Sequence, residues 1–237
     1  MLSSTNLSDA RFQVLAENMP RNLRTIDVSR NPNLTLKSYR VLADTVSKVK
    51  AFNFEGNAMG DEACQVVCDM VIKLSTVTSL NLSKCSITDT GASHLACLIS
   101  SSNTLRVLLL HWNKIRSKGA CSLAKAMRST HSLQIFDSSF NAFGSNRVAA
   151  KKWAKTFKVN VSLIHVDLSF NQFKVDDIRL LGEGLKLNHR ILGIHLMGNE
   201  ASVDELGFVT PEKTLDQASL HVFTRIPGKD TRSHERR

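Results

Sequence analysis

The sequence predicts an α/β solenoid, a horseshoe with a parallel β-sheet on the concave side and helices on the convex side. Three observations predict it. Seven segments are read as LxxLxLxxN, with Val, Ile or Phe accepted at the Leu positions; they begin at Leu23, Val49, Val77, Leu105, Leu133, Leu163 and Ile191. Their last column holds Asn31, Asn57, Cys85, Asn113, Asn141, Asn171 and Asn199, evenly spaced but for a slightly short first step and a slightly long step to Asn171. Well after that column comes an apolar pair at i, i+4, such as Leu95 and Ile99 or Leu123 and Met127. A fixed period of about 28 residues marks a repeat architecture.

Each half of the unit follows from its spacing. The xLxLx stretch alternates with period two and predicts a short strand. The column Asn can bond backbone groups of the turn that leaves the strand, and Cys85 can fill that slot as a weaker donor. The i, i+4 pairs (Val67 and Val71, Trp153 and Phe157, Leu181 and Leu185 also) set one helix face inward. A Gly often opens this half, as at Gly60, Gly91, Gly119 and Gly144. The two extra residues before Leu163 are expected in the helix or its exit loop. One unit cannot bury its apolar edge alone, but stacked neighbours can.

The ends differ from the middle. Residues 7–19 have helical spacing without a preceding strand, which predicts a partial first repeat. The repeat domain is therefore placed at 1–200, and 201–237 is expected to be a C-terminal cap segment with a basic tail. An amphipathic stretch around 215–223 belongs to that cap, and the polar residues 228–237 are expected to be disordered.

Composition bounds the function. With 42% hydrophobic and 22% charged residues, the chain can bury a sizeable core. No apolar run reaches the roughly 18 residues of a membrane span. No secretory signal is visible, so the sequons at Asn6, Asn33, Asn81 and Asn160 are expected to go unused and the location to be cytoplasmic, with cytoskeletal, ciliary or nuclear placement open. The five cysteines are odd in number, scattered and without zinc spacing, as reduced thiols would be. No cofactor and no metal are expected. Neither GxxxxGK[ST] nor GxGxxG occurs, and no nucleophile with a matching base is evident, so no catalytic residues are assigned.

The strings VTSLNLSKC (77–85), TGASHLAC (90–97) and LIHVDLSFN (163–171) resemble the ribonuclease-inhibitor-like class of leucine-rich repeats, over roughly residues 7–200. The resemblance implies an intracellular horseshoe that holds other proteins. Ran GTPase-activating proteins have similar repeats, which implies a GTPase regulator as one alternative, but they carry an acidic C-terminal stretch. Here that stretch is basic, with Arg225, Lys229, Arg232, Arg236 and Arg237. Ubiquitin-ligase adaptors carry an F-box, for which the N-terminus has no room. The strings DLSFN and NHRILGIH (188–195) are similar to protist and ciliary repeat proteins, which implies a structural subunit of a cytoskeletal assembly as an alternative.

Positions three, five, seven and eight of the pattern are expected on the concave side or its rim. Units 1–3 are small and polar there, with Thr25, Asp27, Ser29, Asn53 and Ser83 among them. From unit 4 this changes. Val107, Leu109 and Ile135 occupy strand positions expected to be wet, and Trp112, Phe140 and Phe170 recur in column eight, beside His111, Asp137, His165 and Asp167. An apolar patch ringed by polar groups fits a protein-binding centre. Column eight is also where repeats of this class pack an aromatic over the loop edge, and both readings stand. Residues 114–158 hold ten Lys or Arg against Asp137 alone, or +9 of the net +10. Lys151, Lys152 and Lys155 lie on the outward face of the Trp153 helix. The chain is therefore expected to bind an acidic protein through the concave face and basic flank of units 4–6. It is expected to be a monomer or a subunit of a larger complex. Nucleic acid is disfavoured, because no aromatics interleave with the charge.

Overall fold

The computed structural model describes residues 2–203, 208–211 and 222–223. Helix α1 (Asp9–Glu17) comes first. Six strand–helix units follow: β1 (Thr25–Asp27) and α2 (Leu36–Thr45), β2 (Ala51–Asn53) and α3 (Gly60–Leu74), β3 (Ser79–Asn81) and α4 (Asp89–Ser101), β4 (Val107–Leu109) and α5 (Ser117–Met127), β5 (Ile135–Asp137) and α6 (Val148–Val159), β6 (His165–Asp167) and α7 (Val175–Leu185). Strand β7 (Gly193–His195) opens the seventh unit. The seven strands form one parallel sheet in sequence order, and each aligns position for position with the next, as in Val107↔Ile135↔His165↔Gly193. The protein is a leucine-rich-repeat solenoid, as its repeat predicts.

Column nine binds the units together. The Asn171 amide donates to Ser138 O of unit 5 at 2.9 Å and to Ser169 O of its own unit at 3.1 Å. Its carbonyl oxygen accepts the Phe143 N–H at 3.2 Å. Asn113 likewise accepts the Cys85 and Ile87 N–H groups and donates to Leu82 O and Leu110 O. Both asparagines thus satisfy turn groups of the unit before as well as their own. Cys85 keeps the donor half, its thiol donating to Phe54 O and Ser83 O. Burial pushes that thiol up to about 12, so it stays protonated and able to donate.

The core lies between sheet and helices. Leu80, Leu108, Phe136 and Val166 face it from the strands, and Val71, Leu95, Leu123, Trp153 and Leu181 from the helices, all buried. Successive helices are tied at their starts by aspartates. Asp61 accepts the Thr88 N–H and hydroxyl at the start of α4, and Asp89 accepts the Arg116 and Gly119 N–H groups at the start of α5. Negative charge at a helix N-terminus is favourable. These contacts explain two glycines: a Cβ on Gly91 would lie 2.5 Å from Asp61 Oδ1, and one on Gly119 2.6 Å from Asp89 Oδ1.

Four expectations need amending. The sequence in front of α1 is more than a helix, because Leu2 N–H donates to Asp27 O and Ser4 N–H to Ser29 O. Later units do the same, Val28 N–H to Asn53 O and Arg30 N–H to Glu55 O. Leu2, Ser4 and Thr5 therefore stand at columns six, eight and nine of a leading unit. Second, the seventh-column serines Ser29, Ser83, Ser139 and Ser169 are buried, not concave. The chain has begun to turn there, and Asp27 and Asp137 hold the N–H and hydroxyl of Ser29 and Ser139. Third, unit 5 carries Ser138 at column six, where the pattern wants an aliphatic residue. It is buried all the same, in a unit whose core is filled by Phe136 and Phe143, both stacked on Trp153. Fourth, the two extra residues of unit 5 lie before its helix, in the 3₁₀ turn Phe143–Ser145, not in the helix or its exit. After Asn199, strands β8 (Ala201–Val203), β9 (Phe208–Pro211) and β10 (Val222–Phe223) form a separate antiparallel sheet. Most of the expected amphipathic stretch, and the tail 228–237, lie outside the described residues.

Candidate functional site

Column eight has one backbone requirement throughout the solenoid. Ser4, Arg30, Gly56, Lys84, Trp112, Phe140, Phe170 and Gly198 all have φ between 54° and 75°. This left-handed conformation costs an L-residue roughly 1–2 kcal/mol, and glycine escapes it. Trp112, Phe140 and Phe170 therefore hold their places against a backbone preference. They form a continuous stack: Trp112 on Phe140 and Phe140 on Phe170, each at 4.2 Å between centroids and within 11° of parallel. Gly198 seats the last ring, since a Cβ there would lie 2.2 Å from Phe170 Cδ1. Trp112 keeps 53% of its surface exposed and Phe170 39%. The rings pack along the loop edge and still present apolar surface to solvent.

The strand faces beside the stack carry the rest of the patch. Ile135 is exposed, Val107 and Leu109 are half-buried, and Met197 is exposed at the end of unit 7. Column five shows why Leu109 is unusual. In units 1, 2, 3, 5 and 6 an Asp or Asn accepts the N–H two residues on: Asp27 from Ser29, Asn53 from Glu55, Asn81 from Ser83, Asp137 from Ser139, Asp167 from Ser169. Leu109 cannot, and so gives up a turn-forming bond for an apolar surface.

His111 sits between two neighbours. Its Nδ1 lies 2.9 Å from Ser83 Oγ and 3.1 Å from Asp137 Oδ2. Burial raises the Asp137 carboxyl, but bonds from His111 and from the Ser139 N–H and hydroxyl outweigh it and hold it below the usual aspartate range. One imidazole nitrogen serves both partners, and Ser83 is fully buried. Hydroxyl and carboxylate thus meet the same ring nitrogen, unlike a relay that uses both nitrogens of the imidazole. His165 and His195 pack ring to ring at 4.7 Å, and Gly193 leaves room for His165, whose Nδ1 would stand 2.8 Å from a Cβ there.

The structure thus gathers Val107, Leu109, His111, Trp112, Ile135, Asp137, Phe140, His165, Asp167 and Phe170 on one side. It does not bring Lys151, Lys152 and Lys155 to them. Phe136 faces the core and stacks on Trp153 of α6 at 5.5 Å. Ile135 and Asp137 point to the opposite face of the sheet, as neighbours on a strand must. The three lysines are exposed on α6, whose buried side carries Ala149, Ala150, Trp153 and Phe157. Sheet patch and lysines therefore lie on opposite surfaces. Sequence reading missed Gly198 and Ser83 as supports of the site; Gly56 and Gly198, sharing a column with Trp112, were the available signal. No helix among the described residues is long and apolar enough to cross a membrane.

Comparison with known proteins agrees with the repeat. A family model described as Leucine Rich repeat matches residues 73–96. The human NACHT, LRR and PYD domains-containing protein 13 is 28% identical over 133 residues, 54% of this chain. The match spans 13% of that protein's length. Among solved structures, the leiomodin-1 actin-binding site 2 superposes with a TM-score of 0.52 at 14% identity, covering 74% of this chain and 86% of that one. The Caenorhabditis elegans tropomodulin C-terminal domain gives 0.49 at 17% identity, covering 77% and 94%.

Proposed function

We propose that this protein is a non-catalytic interaction module that docks a protein partner on the concave face and loop rim of units 4–6. The observation that carries the reading is the Trp112–Phe140–Phe170 stack, held in left-handed backbone and still open to solvent. Large aromatic side chains beside aliphatic ones are the composition of binding hot spots. Asp137, Asp167, His111 and His165 supply a polar rim that fixes orientation. That a solved structure of this fold is itself described as an actin-binding site supports a protein, rather than a small molecule, as the occupant.

The partner is acidic overall. The chain's formal charge of +10 is concentrated in units 4 and 5 and draws an acidic surface from a distance, even though its lysines stand on the other side of the sheet. Docking itself is by apolar burial. The test is affinity purification from the native cell with wild-type and Trp112→Ala baits of matched thermal stability. A partner held by the first and lost by the second supports the reading. Equal recovery by both removes the rim from the binding site.

A further inference from the structure

The lysines can steer a partner from a distance but make no contact in that docking site, so their clustering on one convex face calls for a reason of its own. Helices α5 and α6 are neighbours on the convex side. They present Lys118 and Lys125 from one, and Lys151, Lys152, Lys155 and Lys158 from the other, all exposed. Neither helix contains an acidic residue. Among the described residues, none of the six ammonium groups lies within 4.0 Å of a carboxylate. Arg147, at the start of α6, is by contrast paired with Asp176 and Asp177 of α7.

Such a face is unfavourable by itself. Lys151 and Lys155 are i, i+4, and Lys152 with Lys155 and Lys155 with Lys158 are i, i+3. Like charges at these spacings repel and weaken the helix. A bound polyanion removes that repulsion. Three features indicate which kind. The cations within the two helices are all lysines, with Arg116 and Arg128 only at the caps of α5, and lysines are point charges suited to a diffuse anionic surface rather than to the planar, two-pronged recognition that arginine gives. The aromatic residues of α6, Trp153 and Phe157, are buried, so the face offers no ring on which bases could stack. Val148 and Val159 at the two ends of α6, and Val161 just beyond, are about half exposed and frame the lysines with small apolar groups. That combination, a cluster of lysines rimmed by shallow aliphatic surface, suits the headgroup layer of an anionic bilayer.

We propose that the convex face of α5 and α6 is a second binding site, for the anionic surface of a phospholipid membrane, independent of the concave docking site. A convex body meets a plane along one or two helices, and here those two helices carry the charge. Bound this way, the protein lies peripherally on the bilayer with its concave face turned away from it. Both surfaces can then be occupied at once.

The test is co-sedimentation of the whole chain with two kinds of vesicle, one of phosphatidylcholine alone and one in which roughly every third lipid is phosphatidylserine. Binding is expected only to the charged vesicles and should fall as salt rises toward about 0.5 M. In the triple variant Lys151→Gln, Lys152→Gln, Lys155→Gln it should fall roughly a hundredfold, at about a tenfold loss for each 1.4 kcal/mol and about 1 kcal/mol for each lysine near the surface. These side chains are exposed, so circular dichroism and melting should not change. A control variant Lys37→Gln, Lys48→Gln, Lys50→Gln loses the same charge from units 1 and 2, and Trp112→Ala alters the concave rim. Both should bind vesicles like the wild type. Equal loss in the two triple variants, or no preference for charged vesicles, overturns the proposal. Tight capture of poly-glutamate or RNA at a salt concentration where vesicles no longer bind also overturns it, and assigns the face to that polyanion instead.

Discussion

Trp112 lies face to face on Phe140, their centroids 4.2 Å apart and their planes 9° from parallel, although a whole repeat of chain separates them. The contact exists because successive units repeat with one register. Column eight of each unit therefore stands directly beside column eight of the next.

A first prediction concerns this contact. Trp112→Ala should weaken partner binding by roughly 2 kcal/mol or more, as truncation of a central aromatic anchor does. Stability should move less, since half of the ring is already in water. Titration calorimetry with the purified partner and a denaturant melt separate the two effects. A loss of stability as large as the loss of affinity would make the stack a structural element only.

Leu109→Asn probes the gap in column five. The new side chain should accept the His111 N–H as Asn81 accepts that of Ser83. Stability is expected to stay level or rise by up to about 1 kcal/mol, while affinity falls with the lost apolar surface. An unchanged affinity would exclude Leu109 from the contact.

Two glycines should tolerate alanine unequally. Gly56 and Gly198 both have positive φ, so each substitution costs about 1 kcal/mol in backbone strain. At Gly56 the new Cβ meets the flexible Arg30 stem at 3.3 Å, but at Gly198 it meets the Phe170 ring at 2.2 Å. Gly198→Ala should therefore be the more destabilising and should also disturb the stack. Near-ultraviolet circular dichroism would register the change in the aromatic column.

Asp137 sets a pH dependence. Its carboxyl is held below the ordinary value in the folded chain, so its contribution is present above the unfolded pKa of about 3.9 and is lost as pH falls through the lower folded value. Asp137→Asn should flatten the acid limb of the stability profile below about pH 4. Urea midpoints across that range check it, and an unaltered slope would mean that other carboxylates carry the acid limb.

Much of this is legible in the sequence, and the reasons for the rest are physical. A fixed period with an apolar code names the solenoid because each unit must bury its edge on the next. The leading unit is hard to see because Leu2, Thr5 and Leu7 preserve only the exit of the pattern, without a strand to anchor it. The buried serines defy the pattern because two-residue alternation ends once the chain turns toward column eight. The extra residues of unit 5 can be counted but not located, since a 3₁₀ turn has no apolar signature of its own. Trp112, Phe140 and Phe170 are brought together by register alone. The lysines cannot join them, because residues that face out from a helix layer lie across the core from those that face out from its sheet.

Cys85→Asn offers the last prediction. Asn113 receives two N–H groups from unit 3 at its amide oxygen, whereas Cys85 offers unit 2 only a thiol sulfur. Supplying an amide oxygen there should stabilise the protein by about 1 kcal/mol. A denaturant midpoint that does not rise would show the thiol already fits its slot as well.

An array of couplings between neighbours comes apart at a seam rather than all at once. Under tension or mild denaturant the N-terminal units, which hold none of the candidate binding surfaces, should detach as a block. The stack, the concave patch and the lysine face all lie on the other fragment, so the protein could lose its leading units and keep its grip on whatever it holds.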